Sequence, residues 1–475
     1  MQEDDTPPWL PRLAARGGPR FLQIADALQA AVADGLLKPG DRLPPQRHLA
    51  ALLDVDLTTI TRAYDEARRR NLLEGRGARG TYIAAPKVEL TAVLDLGMNT
   101  PPPPAGLDFD DLLKQGLAQV LMGADAALLM TYHLGGGSDV DRQAGAQWLQ
   151  PMFGAVDAEQ LVVCPGAQAA IAASILVLTE PGDVILAESI GYPGLRAAAT
   201  QLGRQLIAVP TDPHGMRPDS LEQACRQHQP ALLYLNPTLQ NPTATTMPLD
   251  RRQALVAVAQ RYNVRIVEDD PYWLLAEAPP PPLASLAPEQ VLYISTLSKC
   301  LTPGLRVAFV LVRDPVLRER FLAALRAFAL MVSPLSAALA TQWILDGSAY
   351  GLMEGVRKEA RLRHRMARDL LAGRYSGAGD GLHVWLELPG YWSPTQLAQA
   401  AHSEGIAVTP AEAFTTGTAE TGRDTGAGTG TGTGTVNAIR ISLGSIKDRG
   451  RLQAGLQRLS QLLARRPDPF TTAVV

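Results

Sequence analysis

The sequence has 475 residues, of which 46% are hydrophobic and 19% charged, and its formal net charge at pH 7 is −3. This length predicts two or three domains that bury a sizeable core. Eighteen consecutive apolar residues occur nowhere, and the initial Met-Gln-Glu-Asp-Asp lacks the positive flank and apolar segment of an export signal, so we expect a soluble cytoplasmic protein with no membrane partner.

Residues 12–84 have the pattern of a compact helical module that ends in a hairpin. Residues 21–34 predict a helix, Gly40 and Pro44 mark turns, and residues 46–53 and 57–70 predict two further helices. Residues 74–83 alternate glycine with arginine, as a tight two-stranded wing would. The segments LLKPGDRLPPQRHLA, TTITRAYDEARRRNLLEGRG and GTYIA resemble the GntR-type winged helix-turn-helix domain, which implies double-stranded operator DNA as a partner.

The same resemblance implies which residues face DNA. Five arginines and one acid lie between residues 68 and 79, which predicts a local cationic face for phosphates, with a solvated helix end as the alternative. Asp56 and Leu57 stand where the family usually has Ser-Arg, so weaker phosphate contact or a different operator is expected. The DNA-facing candidates are Arg47, Thr58, Thr59, Arg62, Arg76 and Arg79, with Gly80 letting the wing approach the duplex.

Proline-rich residues 85–105 predict a short linker, and an α/β pattern follows it. Apolar runs at residues 161–163, 184–187, 231–235, 265–267, 291–294 and 307–311 alternate with helical segments, which predicts a mostly parallel sheet. From about residue 330 the pattern is that of a smaller α+β domain, and we expect the Gly/Thr stretch 415–435 within it to be disordered. The three cysteines are widely spaced and predict neither a metal site nor a disulfide framework.

Lys299 lies in the segment STLSKCLTPGLR and is the only lysine between residues 115 and 357 of a chain with six lysines. A lysine whose pKa and position are controlled can form a Schiff base with a cofactor aldehyde, which arginine cannot do. A solvated surface lysine is the alternative. Hydroxyl donors and positive charge for a phosphate dianion are supplied nearby by Thr296, Ser298 and Arg306.

Two features before Lys299 fall where a strand ends. The turn Cys164-Pro-Gly-Ala-Gln168 opens a helix, so its amides can cradle a phosphate, although a plain strand-helix turn has the same pattern. Tyr192 follows the next predicted strand and can stack on a pyridine ring, or simply pack.

Three further features carry polar groups suited to a pyridine cofactor and its ligand. Asn241 lies in a turn and can donate to a phenolate oxygen. Three successive acids end a buried strand at residues 268–270, which is costly without partners; Asp269 can pair with a protonated pyridine nitrogen, and Tyr272 can reach the ring hydroxyl. Arg440 lies on an apolar strand, where a ligand carboxylate or a structural salt bridge would compensate its charge.

In this order the set resembles the fold-type I pyridoxal-phosphate aminotransferases, from about residue 94 to the C-terminus, with Ala244 departing from the usual glycine. Joined to the GntR-type module, it resembles the MocR/GabR family of bacterial transcriptional regulators. The implied domains are a winged helix-turn-helix (12–84), a linker (85–105) and an aminotransferase-like domain (106–475). The cofactor would be pyridoxal 5'-phosphate on Lys299.

The resemblance also implies the other roles at the site. Asp269 takes the pyridine nitrogen, Asn241 and Tyr272 the ring oxygen, and Tyr192 the ring face. The phosphate is held by Gly166, Ala167, Gln168, Thr296, Ser298 and Arg306. Arg440 takes the carboxylate of an amino-acid ligand, and Tyr132 reaches the phosphate of the neighbouring subunit in a homodimer.

Three functions remain open from the sequence. The first is a cofactor-dependent regulator that senses an amino acid or amine. The second is a working aminotransferase with a vestigial DNA module, which the intact catalytic set and Asp56-Leu57 favour. The third is a sensor of the cofactor alone, against which Arg440 argues. The sequence does not determine whether transamination turns over, nor the effector, the operator or the sign of regulation.

Overall fold

The computed structural model describes residues 9–10, 18–70, 72–75, 80–84, 93–123, 125–371, 375–376, 379–416 and 436–467. They form two compact units, Met1–Ala92 and Val93–Val475. Within the described ranges, every helix is too short or too polar to cross a bilayer.

The first unit is a winged helix-turn-helix, as predicted. Its helices α1 and α3 pack together over a core that includes the fully buried Ile24, Leu28 and Tyr64. Apolar residues recur at helical spacing along these segments, so one face of each helix is buried. The elements are α1 (Arg20–Ala33), α2 (Gln46–Leu53), α3 (Leu57–Arg69), β1 (Leu73–Gly75) and β2 (Thr81–Ile83), with β1 and β2 antiparallel.

The second unit contains a large sheet and several small ones. Its strands are β3 (Leu94–Asp95), β4 (Leu161–Cys164), β5 (Val184–Glu188), β6 (Gln205–Val209), β7 (Thr211–Asp212), β8 (Gly215–Met216), β9 (Leu232–Leu235), β10 (Arg265–Asp269), β11 (Val291–Thr296), β12 (Ala308–Leu311), β13 (Tyr375–Ser376), β14 (His383–Glu387), β15 (Ile406–Ala407), β16 (Thr409–Pro410) and β17 (Ala438–Ser442).

The helices of the second unit cover the faces of these sheets. They are α4 (Phe109–Gly123), α5 (Ala126–Leu129), α6 (Asp139–Phe153), α7 (Ala167–Leu178), α8 (Pro193–Gln201), α9 (Pro218–His228), α10 (Leu249–Arg261), α11 (Leu283–Leu286), α12 (Leu297–Cys300), α13 (Pro315–Ala329), α14 (Pro334–Leu345), α15 (Ser348–Leu370), α16 (Pro394–Ser403) and α17 (Arg449–Ala464).

The large sheet has seven strands in the order β4-β12-β11-β10-β9-β5-β6, and only β12 runs antiparallel to its neighbours. Neighbouring residues of a strand join different apolar clusters: Leu232 lies in one and Leu233 in the other. Side chains alternate across a sheet, so both faces are covered, which explains the continuous apolar runs. The six predicted strands are all present. Strand β6 was not predicted, because it lies at the sheet edge and is only partly buried.

The smaller C-terminal sheet is antiparallel, in the order β13-β14-β17-β16, and packs against α15, α16 and α17. Strand β3 pairs with β15, and Leu96 is fully buried in this domain. Residues 93–105, the second half of the segment predicted as a linker, therefore pack within the second unit, because apolar residues at its start complete the small-domain core. Within the Gly/Thr stretch predicted to be disordered, residues 417–435 lie outside the described residues.

Candidate functional site

Lys299 lies in the single-turn helix α12, directly after the buried strand β11. Its Nζ donates to the backbone carbonyl of Asn99 at 2.5 Å. Burial, with the positive charges of Arg440 and Arg306, lowers the pKa of Lys299 to about 8, although Asp269 opposes this. A lysine with a lowered pKa is partly neutral near pH 7 and can act as a nucleophile. The alternative of a solvated surface lysine is excluded.

The three acids at residues 268–270 each have partners. Glu268 accepts from the amides of Leu283 and Ala284, both at 2.9 Å, and Asp270 accepts from the Thr238 hydroxyl at 2.7 Å. The positive charge of Arg252 stabilises the ionised form of both carboxylates. Side chains alternate along a strand, so Asp269 points to the opposite face from Glu268 and Asp270.

Asp269 faces Lys299 and keeps one oxygen free. Its Oδ2 accepts from the Tyr234 hydroxyl at 2.6 Å, while its buried Oδ1 bonds to none of the described residues. Burial raises the pKa of Asp269 to about 6, and the hydrogen bond from Tyr234 opposes that rise. A buried acceptor without a partner is costly, so this oxygen is suited to a cationic ligand atom.

The start of α7 and the segment after α12 meet through Gly166 and Arg306. Gly166 has φ 87°, and a Cβ there would lie 2.6 Å from Arg306 Nη2, so a larger residue would displace the guanidinium. Ala167 begins α7, a twelve-residue helix whose first amides are free to hold an anion. The Thr296 hydroxyl lies 3.1 Å from Ser298 Oγ and accepts the Ser298 amide at 3.2 Å.

The phosphate contact predicted at Gln168 is that of its backbone amide, and its side chain makes separate contacts. Its Nε2 donates to the Gly194 carbonyl at 2.9 Å, and its Oε1 accepts from the Tyr192 hydroxyl at 3.0 Å. The amide side chain is therefore engaged in holding Tyr192 rather than free for a phosphate. Burial raises the pKa of Tyr192, and the nearby charges of Asp269 and Arg306 also act on that pKa. Tyr192 therefore lies at the same site as these two residues.

Arg440 is buried on β17 beside Asn241. It donates through Nη1 to Asn241 Oδ1 at 2.7 Å and through Nη2 to the Gly97 carbonyl, and its Cζ lies 4.7 Å from the Phe414 ring centroid. Its buried Nε bonds to none of the described residues, and none of their carboxylates forms an ion pair with it. Burial lowers the pKa of Arg440, so a ligand carboxylate would stabilise it. The alternative role of Arg440, a structural salt bridge, therefore has no carboxylate to form it among the described residues.

Three site residues, Asn99, His383 and Tyr234, were not predicted from the sequence. Asn99 Nδ2 lies 2.9 Å from the Tyr272 hydroxyl and 3.1 Å from His383 Nδ1. Burial raises the pKa of Tyr272 and lowers that of His383 to about 3, so both are neutral at pH 7. These residues come from distant parts of the chain and carry no local motif.

Tyr132 lies outside the site described so far and is 71% exposed. The segment that contains it contacts the end of α13, because the His133 amide lies 3.2 Å from the Met331 sulfur and Arg326 Nε donates to the Leu134 carbonyl at 2.9 Å.

In the first unit, Arg47, Thr58 and Arg62 are exposed and Thr59 is half-buried. The Arg62 guanidinium lies 4.3 Å from the Phe21 ring centroid. Gly80 has φ 107°, and a Cβ there would lie 3.2 Å from the Nε of Arg42, a residue not predicted to be at the wing. Arg76 and Arg79 lie outside the described residues.

The predicted cationic face is partly neutralised, which corrects that interpretation. Arg68 pairs with Asp65 at 2.9 Å, Arg69 pairs with Glu66, and Arg70 pairs with Glu66 at 2.9 Å and with Asp26 at 2.6 Å. Asp65 and Glu66 precede these arginines by one turn of α3, and Asp26 lies on α1. A count of charges over residues 68–79 alone does not include them.

Comparison with known proteins agrees with this geometry. Residues 91–435 match the family "Aminotransferase class I and II", and residues 21–83 match "Bacterial regulatory proteins, gntR family". The chain is 31% identical to the HTH-type transcriptional regulator YdeF of Bacillus subtilis (strain 168), over 96% of both chains. It is 29% identical to the HTH-type pyridoxine biosynthesis transcriptional regulator PdxR of Corynebacterium glutamicum, over 90% of this chain and 95% of that one.

Among solved structures, the second unit resembles LysN, the alpha-aminoadipate aminotransferase of Thermus thermophilus, complexed with N-(5'-phosphopyridoxyl)-L-leucine. The TM-score is 0.68 and the identity 27%, over 79% of this chain and 92% of that one. The residues present here fit pyridoxal phosphate, because they include a lysine of lowered pKa, the free Oδ1 of Asp269 and the glycine-opened contact with Arg306. The chain therefore belongs to the aminotransferase class I and II family and, with its gntR-type N-terminal module, is a MocR-type transcriptional regulator with pyridoxal phosphate as its cofactor.

Proposed function

We propose that this regulator senses an amino acid at the pyridoxal-phosphate site and that the bound ligand changes how a homodimer engages paired operator half-sites. The observation that carries the proposal is Arg440, a buried guanidinium beside Asn241 that has no carboxylate partner among the described residues. An α-carboxylate would satisfy it through two parallel hydrogen bonds. A sensor of the cofactor alone has no need of such a group.

The roles of the residues around the cofactor follow from their chemistry. Lys299, with its lowered pKa, would be the nucleophile for the cofactor aldehyde, and Asp269 Oδ1 would accept from a protonated pyridine nitrogen. When bound, the cofactor supplies an electron-accepting ring, and a carboxylate at its nitrogen keeps that ring cationic. Tyr192, held by Gln168, would pack on the ring face, and Tyr272 with Asn241 would hold the ring oxygen.

The phosphate would be held where backbone amides and one guanidinium converge. The amides of Ala167 and Gln168 open α7, whereas the Gly166 amide already donates to the Cys164 carbonyl at 2.7 Å, and Arg306 approaches Gly166 from the other side. The Ser298 hydroxyl completes the donors, because Thr296 Oγ1 donates its own proton to Ser298 Oγ at 3.1 Å. A dianion at a helix N-terminus is stabilised by both the free amides and the helix dipole.

A homodimer is supported by exposed apolar side chains around Tyr132. The contacts of residues 133 and 134 with residues 331 and 326 join two segments into one surface. Large apolar side chains that are at least 43% exposed on these segments and the preceding helix are Leu121, Met122, Met130, Tyr132, Leu134, Phe328 and Leu330. A concentration of this kind marks an interaction surface, and a second copy would receive Tyr132 at its phosphate.

Two-fold symmetry suits the DNA-binding module, because a dimer presents two recognition helices to two half-sites. Arg47, Thr58, Thr59, Arg62 and the wing residues Arg76, Arg79 and Gly80 are the proposed DNA contacts. A protein that works on DNA in this way acts in the cytoplasm. For the ligand to act as a switch, it must bind one arrangement of the two units more tightly than another.

An active aminotransferase is the second candidate, favoured by the complete set of cofactor residues and the similarity to the LysN aminotransferase. In that case the amino acid would be a substrate and Asp56-Leu57 a sign of a weakened DNA module.

Fluorescence anisotropy of the full chain on DNA upstream of its own gene, at fixed salt, separates the two candidates. Measurements with and without pyridoxal phosphate, and then with a panel of amino acids, should show specific binding that both ligands shift. Arg440→Leu should remove the amino-acid response and keep the cofactor response. Binding that is indifferent to sequence and ligand, together with steady amino-group transfer to a keto acid, would support the enzyme instead.

A further inference from the structure

Asn99 lies in a backbone segment that the small domain holds in place from several directions. The Leu96 carbonyl accepts the Ser442 amide at 2.7 Å, and the Gly97 carbonyl accepts from Arg440 and from the Thr409 hydroxyl. A Cβ on Gly444 would lie 1.7 Å from the Thr100 carbonyl oxygen, so only glycine allows this approach. The backbone at Asn99 is thus fixed beside Lys299.

The backbone carbonyl of Gln240 sets the direction of the hydrogen bonds that link His383, Asn99 and Tyr272. His383 Nε2 lies 3.2 Å from the Gln240 carbonyl, which can only accept, so Nε2 carries the proton. A neutral imidazole then has an acceptor at Nδ1, and the group opposite it at 3.1 Å must be the amide nitrogen of Asn99. The same nitrogen lies 2.9 Å from the Tyr272 hydroxyl.

This arrangement decides what the Tyr272 hydroxyl can do. An amide nitrogen only donates, so the Tyr272 oxygen accepts from Asn99 and its own proton cannot be given back to that partner. Burial raises the pKa of Tyr272, which keeps the proton on the phenol. The hydroxyl therefore has one proton to donate elsewhere, and the site offers the cofactor ring oxygen.

We propose that Asn99 is a positioning residue that makes the Tyr272 hydroxyl a dedicated hydrogen-bond donor to the ring oxygen of pyridoxal phosphate. This inference rests on the proposed role of Tyr272 and adds to it the residue that fixes the direction of its hydrogen bond. The two residues are 173 positions apart, and the Asn99 side chain acts on the cofactor through Tyr272.

A double-mutant cycle on the full chain tests the inference, with Asn99→Ala, Tyr272→Phe and the double variant. The readout is the dissociation constant of pyridoxal phosphate, followed by the visible absorption of the bound cofactor. Loss of one net hydrogen bond should weaken binding by about threefold to tenfold in Asn99→Ala. In the Tyr272→Phe background the same change should have less than about twofold effect, because the donor it orients is gone.

Each other result has a distinct meaning. Equal effects of Asn99→Ala in both backgrounds would overturn the role of Asn99, since it would then act through His383 or the backbone. No effect of Tyr272→Phe on binding would overturn the role of Tyr272 and with it that of Asn99. Should Asn99→Ala fail to fold, Asn99→Asp keeps the side-chain shape but replaces the donor by an acceptor, and wild-type affinity in that variant would refute the proposal.

Discussion

Removing the hydroxyl of Tyr234 should raise the pH at which the protein begins to bind pyridoxal phosphate tightly. The hydrogen bond from Tyr234 to Asp269 Oδ2 is 2.6 Å long and opposes the rise that burial causes in the pKa of Asp269, now about 6. A hydrogen bond to a charged group contributes about 1.5–3 kcal/mol, which corresponds to about 1–2 pKa units. In Tyr234→Phe the pKa of Asp269 should therefore rise further above its ordinary value.

The consequence for binding follows from the charge of Asp269. With a pKa of about 6 the Asp269 carboxylate is mostly ionised at pH 7, whereas a further rise of about 1–2 pKa units would leave about half of it or less ionised. Because the ionised form pairs with the pyridine nitrogen, affinity at pH 7 should fall by about twofold to tenfold and recover at pH 9. Protonation of Lys299 also weakens binding below about pH 8, and because the charge of Asp269 raises the pKa of Lys299, loss of that charge in Tyr234→Phe should shift this limb to lower pH, opposite to the shift caused by Asp269 itself.

The assay is the dissociation constant of pyridoxal phosphate between pH 5.5 and 9 for the wild type and Tyr234→Phe. Tyr293→Phe is the matched control, since Tyr293 is equally buried in the same sheet but its hydroxyl contacts the Met152 sulfur at 3.2 Å. If the affinity for pyridoxal phosphate fell at the same acidic pH in the wild type and in Tyr234→Phe, the coupling between Tyr234 and Asp269 would be refuted.

The cofactor-free protein gives the opposite pH dependence from the same group. Asp269 has a folded-state pKa of about 6 against 3.8 in the unfolded chain. Its contribution to stability is therefore fully present below pH 3.8 and is lost as the pH rises through about 6. In Tyr234→Phe, the loss of this contribution to stability should continue to a higher pH than in the wild type.

Three further predictions concern the cofactor and DNA. Lys299→Ala should abolish the visible absorption that survives dialysis of the loaded protein, because the covalent attachment is lost. Gly166→Ala should weaken the binding of pyridoxal phosphate by at least about tenfold, since the new Cβ would displace Arg306 from the phosphate. Arg76→Ala and Arg79→Ala should each reduce the slope of log affinity against log salt for operator DNA by about one, measured by anisotropy.

Each of these variants has a control. Lys358→Ala changes an exposed lysine and should keep the visible absorption. Gly182→Ala introduces the same backbone cost at φ 93° with nothing within 4 Å, so it separates backbone strain from displacement of Arg306. Cofactor absorption retained in Lys299→Ala would reject the lysine assignment, and an unchanged salt slope would remove the wing from the DNA interface.

The sequence by itself determined the elements and the chemistry that lies close together along the chain. Helix and strand positions followed from apolar periodicity, because a buried face must repeat every 3.6 or two residues. Lys299 stood out as the only lysine in a long stretch, and the acids at residues 268–270 indicated a buried charge that needed partners. The edge strand β6 was missed because half-burial weakens the apolar pattern.

Only the tertiary structure decided which groups meet. Asn99 reaches His383 across 284 residues and Tyr234 reaches Asp269 across 35, and neither pair leaves a mark in local composition. Folding also added contacts that the sequence did not indicate: the Gln168 side chain holds Tyr192, and Arg68 to Arg70 pair with acids that partly neutralise them. The physical reason is the same in each case. A side chain's hydrogen bonds and pKa depend on its neighbours in space, and the chain crossings of an α/β fold choose those neighbours from remote segments.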